Sequence, residues 1–202
     1  MRCCLLLSHC GRGKDSIGME KKPFRLGLVV GRFQTLHTGH EDMIGKAIAL
    51  CDCVGIFVGS SQESGTFKNP FSYALRREML MDVFGGSVRV YPLPDIGVGN
   101  NAGWGNYVLE QVELRFGRLP DLVVSGREVR RLDWFDSPAG SGISELYIPK
   151  SIEMSASQMR RFFAEDDFEQ WKSYTNPKLW PRYRQLREIA LASQGNLETK
   201  SI

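Results

Sequence analysis

Apolar residues in this chain follow two alternating rhythms. Unbroken runs at 24–30 ("FRLGLVV"), 53–60 ("CVGIFVGS"), 87–93 ("SVRVYPL") and 121–126 ("DLVVSG") read as buried strands, with a short further strand at 145–149 ("ELYIP"). Between them the spacing changes to three and four. Met43, Ile44, Ala47 and Ile48 share one side of a helix whose other side carries Glu41, Asp42 and Lys46. Leu75, Met79, Leu80 and Val83 repeat the pattern within "SYALRREMLMDVFG", and "YVLEQVELRFG" (107–117) gives a third helix. The stretch before it, "PDIGVGNNAGWGN" (94–106), is too long for a tight connection and reads as a loop belonging to a site. From residue 155 onward the strands stop. "SASQMRRFFAEDDFEQW" (155–171) and "PRYRQLREIALAS" (181–193) read as helices, joined by "KSYTNPKLW" and interrupted by Pro177 and Pro181.

Strands alternating with helices predict an α/β fold of Rossmann-like type, a parallel sheet covered on both faces by right-handed crossovers. Ligands of such sheets sit beyond the carboxyl ends of the strands. One domain is expected over 23–163, with 164–202 a helical extension of it. Residues 1–22 show neither rhythm and are expected to form a disordered extension, with Met19 a candidate start.

Charge and cysteine content narrow the setting. With 26 Lys and Arg against 23 Asp and Glu, the net charge of +3 gives no broad basic surface for nucleic acid. The basic-aromatic stretch "KLWPRYRQLR" follows Glu165, Asp166, Asp167 and Glu169 and reads as a solvated helix face. No apolar run approaches the roughly 20 residues of a membrane span. Cys3, Cys4, Cys10, Cys51 and Cys53 form no framework of spaced pairs, which predicts a reducing, cytoplasmic location. "CCLLL" is too short for a signal peptide, "GRGKDS" lacks the glycine spacing of a phosphate loop, and the Cys3–Cys10 cluster has no usual zinc spacing. Whether several copies assemble stays open.

The candidate chemistry lies where the first strand meets the first helix. Two of the three histidines, His37 and His40, flank Gly39 there. A helix start offers unpaired N–H groups and the positive end of a dipole, and Gly31 and Gly39 let backbone approach a ligand. His37 and His40 can donate to phosphate oxygens, and Arg32 adds a permanent charge suited to a polyphosphate. Zinc ligation and simple capping are the competing readings of the pair; no third metal ligand is near in sequence. A second helix start is marked by "MSASQMRR": Ser155 and Gln158 have capping-box spacing, with Ser157 in the first turn and Arg160 behind it. That pattern fits a second phosphate clamp or an ordinary capped helix.

These motifs carry a resemblance. "GRFQTLHTGH" resembles the "GRFQPxHxGH" signature of nucleotidylyltransferases, and "MSASQMR" their C-terminal "ISxTxxR" signature. "GSSQESGTFKNPFSYALRREM" is similar to the "GSxQxSxTxxNPFTxxER" stretch of archaeal-type nicotinamide-nucleotide adenylyltransferases, and the likeness spans roughly residues 24–163. It implies that Gly31, Arg32, Phe33, His37, Gly39, His40, Arg127, Ser155, Ser157 and Arg160 bind ATP, with His37, His40 and Arg160 catalytic. It implies a pyridine-nucleotide side made by Ser60, Gln62, Ser64, Asn69, Arg76 and Trp104, the Trp104 ring stacking on the nicotinamide. Thr35, Leu36, Gly65 and Leu75 depart from the family pattern, where Pro, a Phe-like residue, His and Glu are usual.

The reaction implied is adenylyl transfer from ATP to nicotinamide mononucleotide, giving NAD and pyrophosphate, with Mg²⁺ carried on the ATP and no metal site built from protein alone. Nicotinate mononucleotide or another phosphorylated acceptor is the alternative, and Arg127, Arg130 or Arg131 near the ring would favour the acid. A nucleotide sensor that has lost turnover is a third reading.

Overall fold

The computed structural model describes residues 21–99, 101–126, 134–135, 137–149 and 154–195. The expected extension falls mostly in residues 1–20, and Arg127, Arg130 and Arg131 in 127–133; both lie outside the described residues. Five strands form the sheet: β1 (Phe24–Gly31), β2 (Cys51–Gly59), β3 (Arg89–Leu93), β4 (Leu122–Ser125) and β5 (Ser144–Tyr147). All pairings are parallel and the spatial order is β3-β2-β1-β4-β5. The order reverses at β1, which pairs with β2 from Phe24↔Cys51 to Gly31↔Val58 and with β4 from Gly27↔Leu122 to Val29↔Val124. A crevice therefore opens at the carboxyl ends of β1 and β4.

Side chains leave a strand alternately, so each strand feeds two cores. Val29, Ile56, Val58, Val90 and Val124 face one side, where α1 (Thr38–Leu50) and α2 (Tyr73–Phe84) bury Ile44, Ala47, Met79 and Leu80. Leu26, Leu28, Phe57 and Val123 face the other side and pack on Val108, Leu109 and Val112 of α3 (Ala102–Phe116). The last three helices, α4 (Ala156–Glu165), α5 (Phe168–Ser173) and α6 (Tyr183–Gly195), join the first side. Phe163, Trp171 and Tyr183 put their rings 5.2–5.9 Å apart there. Arg182 ties this region to α2, with Nε 2.7 Å from Asp82 and Nη1 3.1 Å from Glu78.

Two expectations need correction. The loop before α3 is shorter than its glycines suggest, because Asn101 accepts the Trp104 N–H at 3.2 Å and starts the helix there. Gly105 is needed in that first turn: a Cβ on it would lie 1.8 Å from the Trp134 carbonyl oxygen. The stretch 155–171 is two helices, not one. Asp166 turns left-handed (φ 56°) and Asp167 caps α5 by accepting the Gln170 N–H at 3.0 Å.

Candidate active site

The crevice is a cavity of about 840 Å³ roofed by two helix starts. At the first, β1 ends in Gly31, Phe33 takes positive φ (52°), and α1 begins after His37. Among the described residues the Gly39 N–H meets no acceptor, while the neighbouring Thr38 N–H is taken by the Tyr174 carbonyl at 2.9 Å. A Cβ on Gly39 would press to 3.2 Å on the His37 ring. The two imidazoles are packed against each other, centroids 3.8 Å apart, with Phe33 5.0 Å from His40. Burial first and His37 second hold the His40 pKa well below the ordinary histidine range. His40 is therefore neutral near pH 7 in the free site, and its Nδ1 is buried without a partner among the described residues. An anion would reverse that balance.

At the second start, Ser155 caps α4, accepting the Gln158 N–H at 3.2 Å and donating to Gln158 Oε1 at 2.9 Å. The serine half of the capping box is thus present, while Gln158 reaches the serine hydroxyl and not the backbone. Arg160 is buried; it donates to Ser157 Oγ at 3.2 Å and to the Gln34 carbonyl at 3.3 Å, and its guanidinium lies over Phe67 at 5.4 Å. Its pKa is lowered by burial and then by Arg32. Arg32 and Arg160 both line the crevice, and two such guanidinium groups are suited to a multiply charged anion.

The structure brings His37, Gly39, His40, Arg32, Phe33, Gly31, Ser155, Ser157 and Arg160 onto one cavity wall system, and adds Ser60 and Trp104. Four other expected acceptor contacts are not on it. Gln62 accepts the Asp95 N–H at 3.0 Å and anchors the 95–99 loop, and Ser64 is exposed away from the cavity. Asn69 bonds Glu63 and accepts from Arg32 Nη1 at 3.4 Å, so its amide is engaged with the arginine that lines the cavity.

Arg76 is the clearest correction. It is wholly buried behind the wall, donating to the carbonyls of Arg32 (3.0 Å), Gly59 (2.8 Å), Ser60 (3.0 Å) and Ser72 (3.3 Å). Burial and Arg32 push its pKa down to about 10. It locks the ends of β1 and β2 where Phe33 and Ser60 (φ 48°) hold strained positive φ.

Trp104 is helical and largely covered, with Tyr107 at 5.5 Å and Trp134 edge-on at 6.2 Å. It lines the cavity together with Asp95, Ile96 and Val98. Sequence reasoning passed over Trp134 and Gln34. Gln34 clips the site loop to Phe71 by two bonds, 3.0 Å and 2.9 Å. The "FQ" of the first motif and the aromatic pair "WF" were the signals available.

A parallel sheet reversing at β1, with two helix starts and two arginines turned on one crevice, defines a nucleotide-binding transferase of the Rossmann-like class. The profile of the cytidylyltransferase-like family matches residues 28–132. The chain belongs to this nucleotidyltransferase superfamily and is closely related to the archaeal nicotinamide-nucleotide adenylyltransferases. It is 37% identical over 148 residues to the nicotinamide-nucleotide adenylyltransferase of Thermococcus kodakarensis, covering 70% of this chain and 73% of that one. Against the enzyme of Thermococcus onnurineus the identity is 43% over 108 residues, 51% of this chain; the match spans about half of that relative, 54%. In fold it is similar to a bifunctional NMN adenylyltransferase/ADP ribose pyrophosphatase from Francisella tularensis, with TM-score 0.66 and 19% identity over 88% of this chain and 55% of that one.

Proposed function

We propose that the chain transfers the adenylyl group of ATP to nicotinamide mononucleotide, releasing pyrophosphate and forming NAD. The observation that carries this reading is a single cavity lined by the residues of both helix starts, by Arg32 and Arg160, and by Trp104. The acceptor's own phosphate is the nucleophile: one of its oxygens bonds to the α-phosphorus as the α–β bridging bond breaks, and the electron pair leaves on pyrophosphate. No side chain need become covalently attached. The protein's work is alignment and neutralisation of charge growing on the leaving group.

In this reading the Gly39 N–H, His37, His40, Ser157 and Arg160 hold the β- and γ-phosphates, and Arg32, aimed by Asn69, closes the open side. Trp104 offers its face to the pyridine ring. Mg²⁺ would arrive on the triphosphate and add charge neutralisation there. Among the described residues no three His, Cys, Asp or Glu converge. Among the described residues no helix is long and apolar enough to cross a membrane.

A screen of ATP and CTP against nicotinamide mononucleotide, nicotinate mononucleotide and phosphopantetheine, read by pyrophosphate release, tests the assignment. Turnover is expected with ATP and nicotinamide mononucleotide. Turnover confined to phosphopantetheine, or to CTP, would overturn it.

A further inference from the structure

The C-terminal region touches both clamps through one turn, residues 174–176. The Tyr174 carbonyl accepts the Thr38 N–H at the start of α1, and the Tyr174 ring stacks on Phe162 of α4, centroids 6.1 Å apart and planes 9° apart. Asn176 then uses both ends of its amide. Its Oδ1 accepts the Lys178 N–H at 3.1 Å, and its Nδ2 donates to Glu41 Oε2 at 2.8 Å. The turn is itself braced, since Thr175 Oγ1 donates to the Trp171 carbonyl at 3.0 Å and Trp180 Nε1 to the Thr175 carbonyl at 3.3 Å.

Glu41 is an awkward residue for this place. It lies in the first turn of α1, next to His40, where a loose carboxylate would repel a triphosphate. Its neighbours His40 and Asp42 line the cavity, whereas Glu41 does not. Its other oxygen, Oε1, is buried with no partner among the described residues, so the Asn176 amide is the hydrogen bond that holds the carboxylate.

We propose that Asn176 is a positioning residue for the ATP site: it restrains Glu41 behind α1 and, with the Tyr174 carbonyl, fixes the first phosphate clamp against the second. This rests on the adenylyl-transfer reading above.

The test is Asn176→Asp, which keeps the oxygen that caps Lys178 and replaces only the donor facing Glu41 by a second carboxylate oxygen. Binding of a non-hydrolysable ATP analogue is measured by calorimetry, and steady-state kinetics are measured beside it. Loss of a hydrogen bond to a charged group, with like charges left facing, should weaken ATP binding about tenfold or more. The Michaelis constant for the acceptor should stay within about twofold, since no acceptor contact is touched. The double variant Glu41→Gln with Asn176→Asp reverses the polarity of the bond and should restore ATP binding to within about threefold of wild type. Should Asn176→Asp fold poorly, Asn176→Ser keeps a capping oxygen and lacks the reach to Glu41; a selective rise in the ATP constant is expected there too. Unchanged ATP binding in these single variants, or a double variant no better than Asn176→Asp, would overturn the assignment. Wild-type protein that binds no ATP analogue would overturn both it and the proposed reaction.

Discussion

At the scale of single residues, His40 carries the sharpest chemical consequence. Packed against His37 and Phe33, it is neutral in the free site. Its folded pKa lies below that of the unfolded chain, so below about pH 6.5 the unfolded chain takes up a proton here that the folded chain refuses. Stability from this group is complete above that pH and is lost as pH falls toward the folded value. A bound triphosphate favours the imidazolium, so ATP binding near pH 6 should take up a proton. Calorimetry in buffers of different ionisation enthalpy should show this uptake in wild type and a smaller one in His40→Asn; equal uptake would place the proton elsewhere. Removing one preorganised donor to the transition state costs about a hundredfold to a thousandfold in turnover. His40→Ala should lose that much, with a smaller loss in ATP affinity. Trp104 needs a gentler substitution than alanine. Since it is 9% exposed and packs on Trp134, truncation would cost about 3–5 kcal/mol of stability and blur the kinetics. Trp104→Leu keeps much of the apolar volume but removes the aromatic face; it should raise the Michaelis constant of the mononucleotide about threefold to tenfold, the worth of one aromatic contact, and leave that of ATP alone.

Among the elements, the ends of β1 and β2 matter most, because the cavity floor is backbone. Arg76 holds three carbonyls there, those of Arg32, Gly59 and Ser60, and a fourth, that of Ser72, at the start of α2; among the described residues no carboxylate is bonded to its charge. Arg76→Met fills the volume but strands the carbonyls of Arg32, Gly59 and Ser60, at roughly 1–3 kcal/mol for each left unsatisfied, while the Ser72 carbonyl keeps the backbone N–H of residue 76. A thermal melt should show a loss of several degrees and ATP titration a weaker site; a variant as stable and as active as wild type would remove Arg76 from the account. The start of α3 gives a second test. Gly105→Ala drives a methyl group into the Trp134 carbonyl, and overpacking of this kind costs about 1–3 kcal/mol, a few degrees in Tm for a chain of this size.

Elements were legible to different depths for physical reasons. The strands and α1 showed in the sequence because burial on both faces, or on one stripe, leaves a periodic trace. The start of α3 did not show, since its glycines look like loop until the close contact with Trp134 explains them. The break at Asp166 was also missed, although "EDD" contains the capping aspartate.

For the molecule as a whole, the two helix starts that line the cavity were legible because each is a local motif: glycine beside histidines, and serine ahead of arginine. What those motifs could not reveal is what stands behind them. Gln62 and Asn69 were implied as acceptor contacts by the resemblance of the middle motif, yet their partners include Asp95 and Arg32, brought near only by the crossover. Asn176 and Glu41 are 135 residues apart, and no local spacing marks their bond. The C-terminal helices read as an appendage by periodicity but share an apolar cluster with α1 and α2, so they hold the site from behind. Everything then turns on which phosphorus is attacked. ATP labelled with radioactive phosphorus at the α position, incubated with nicotinamide mononucleotide and the full chain, separates the outcomes directly. The expected result is label in NAD, unlabelled pyrophosphate in equal amount, and none left on the protein. Label left in ADP, as attack at the γ-phosphorus would give, or in AMP, as attack at the β-phosphorus would give, or label on the protein, or consumption of ATP with no labelled dinucleotide, would contradict adenylyl transfer at this site.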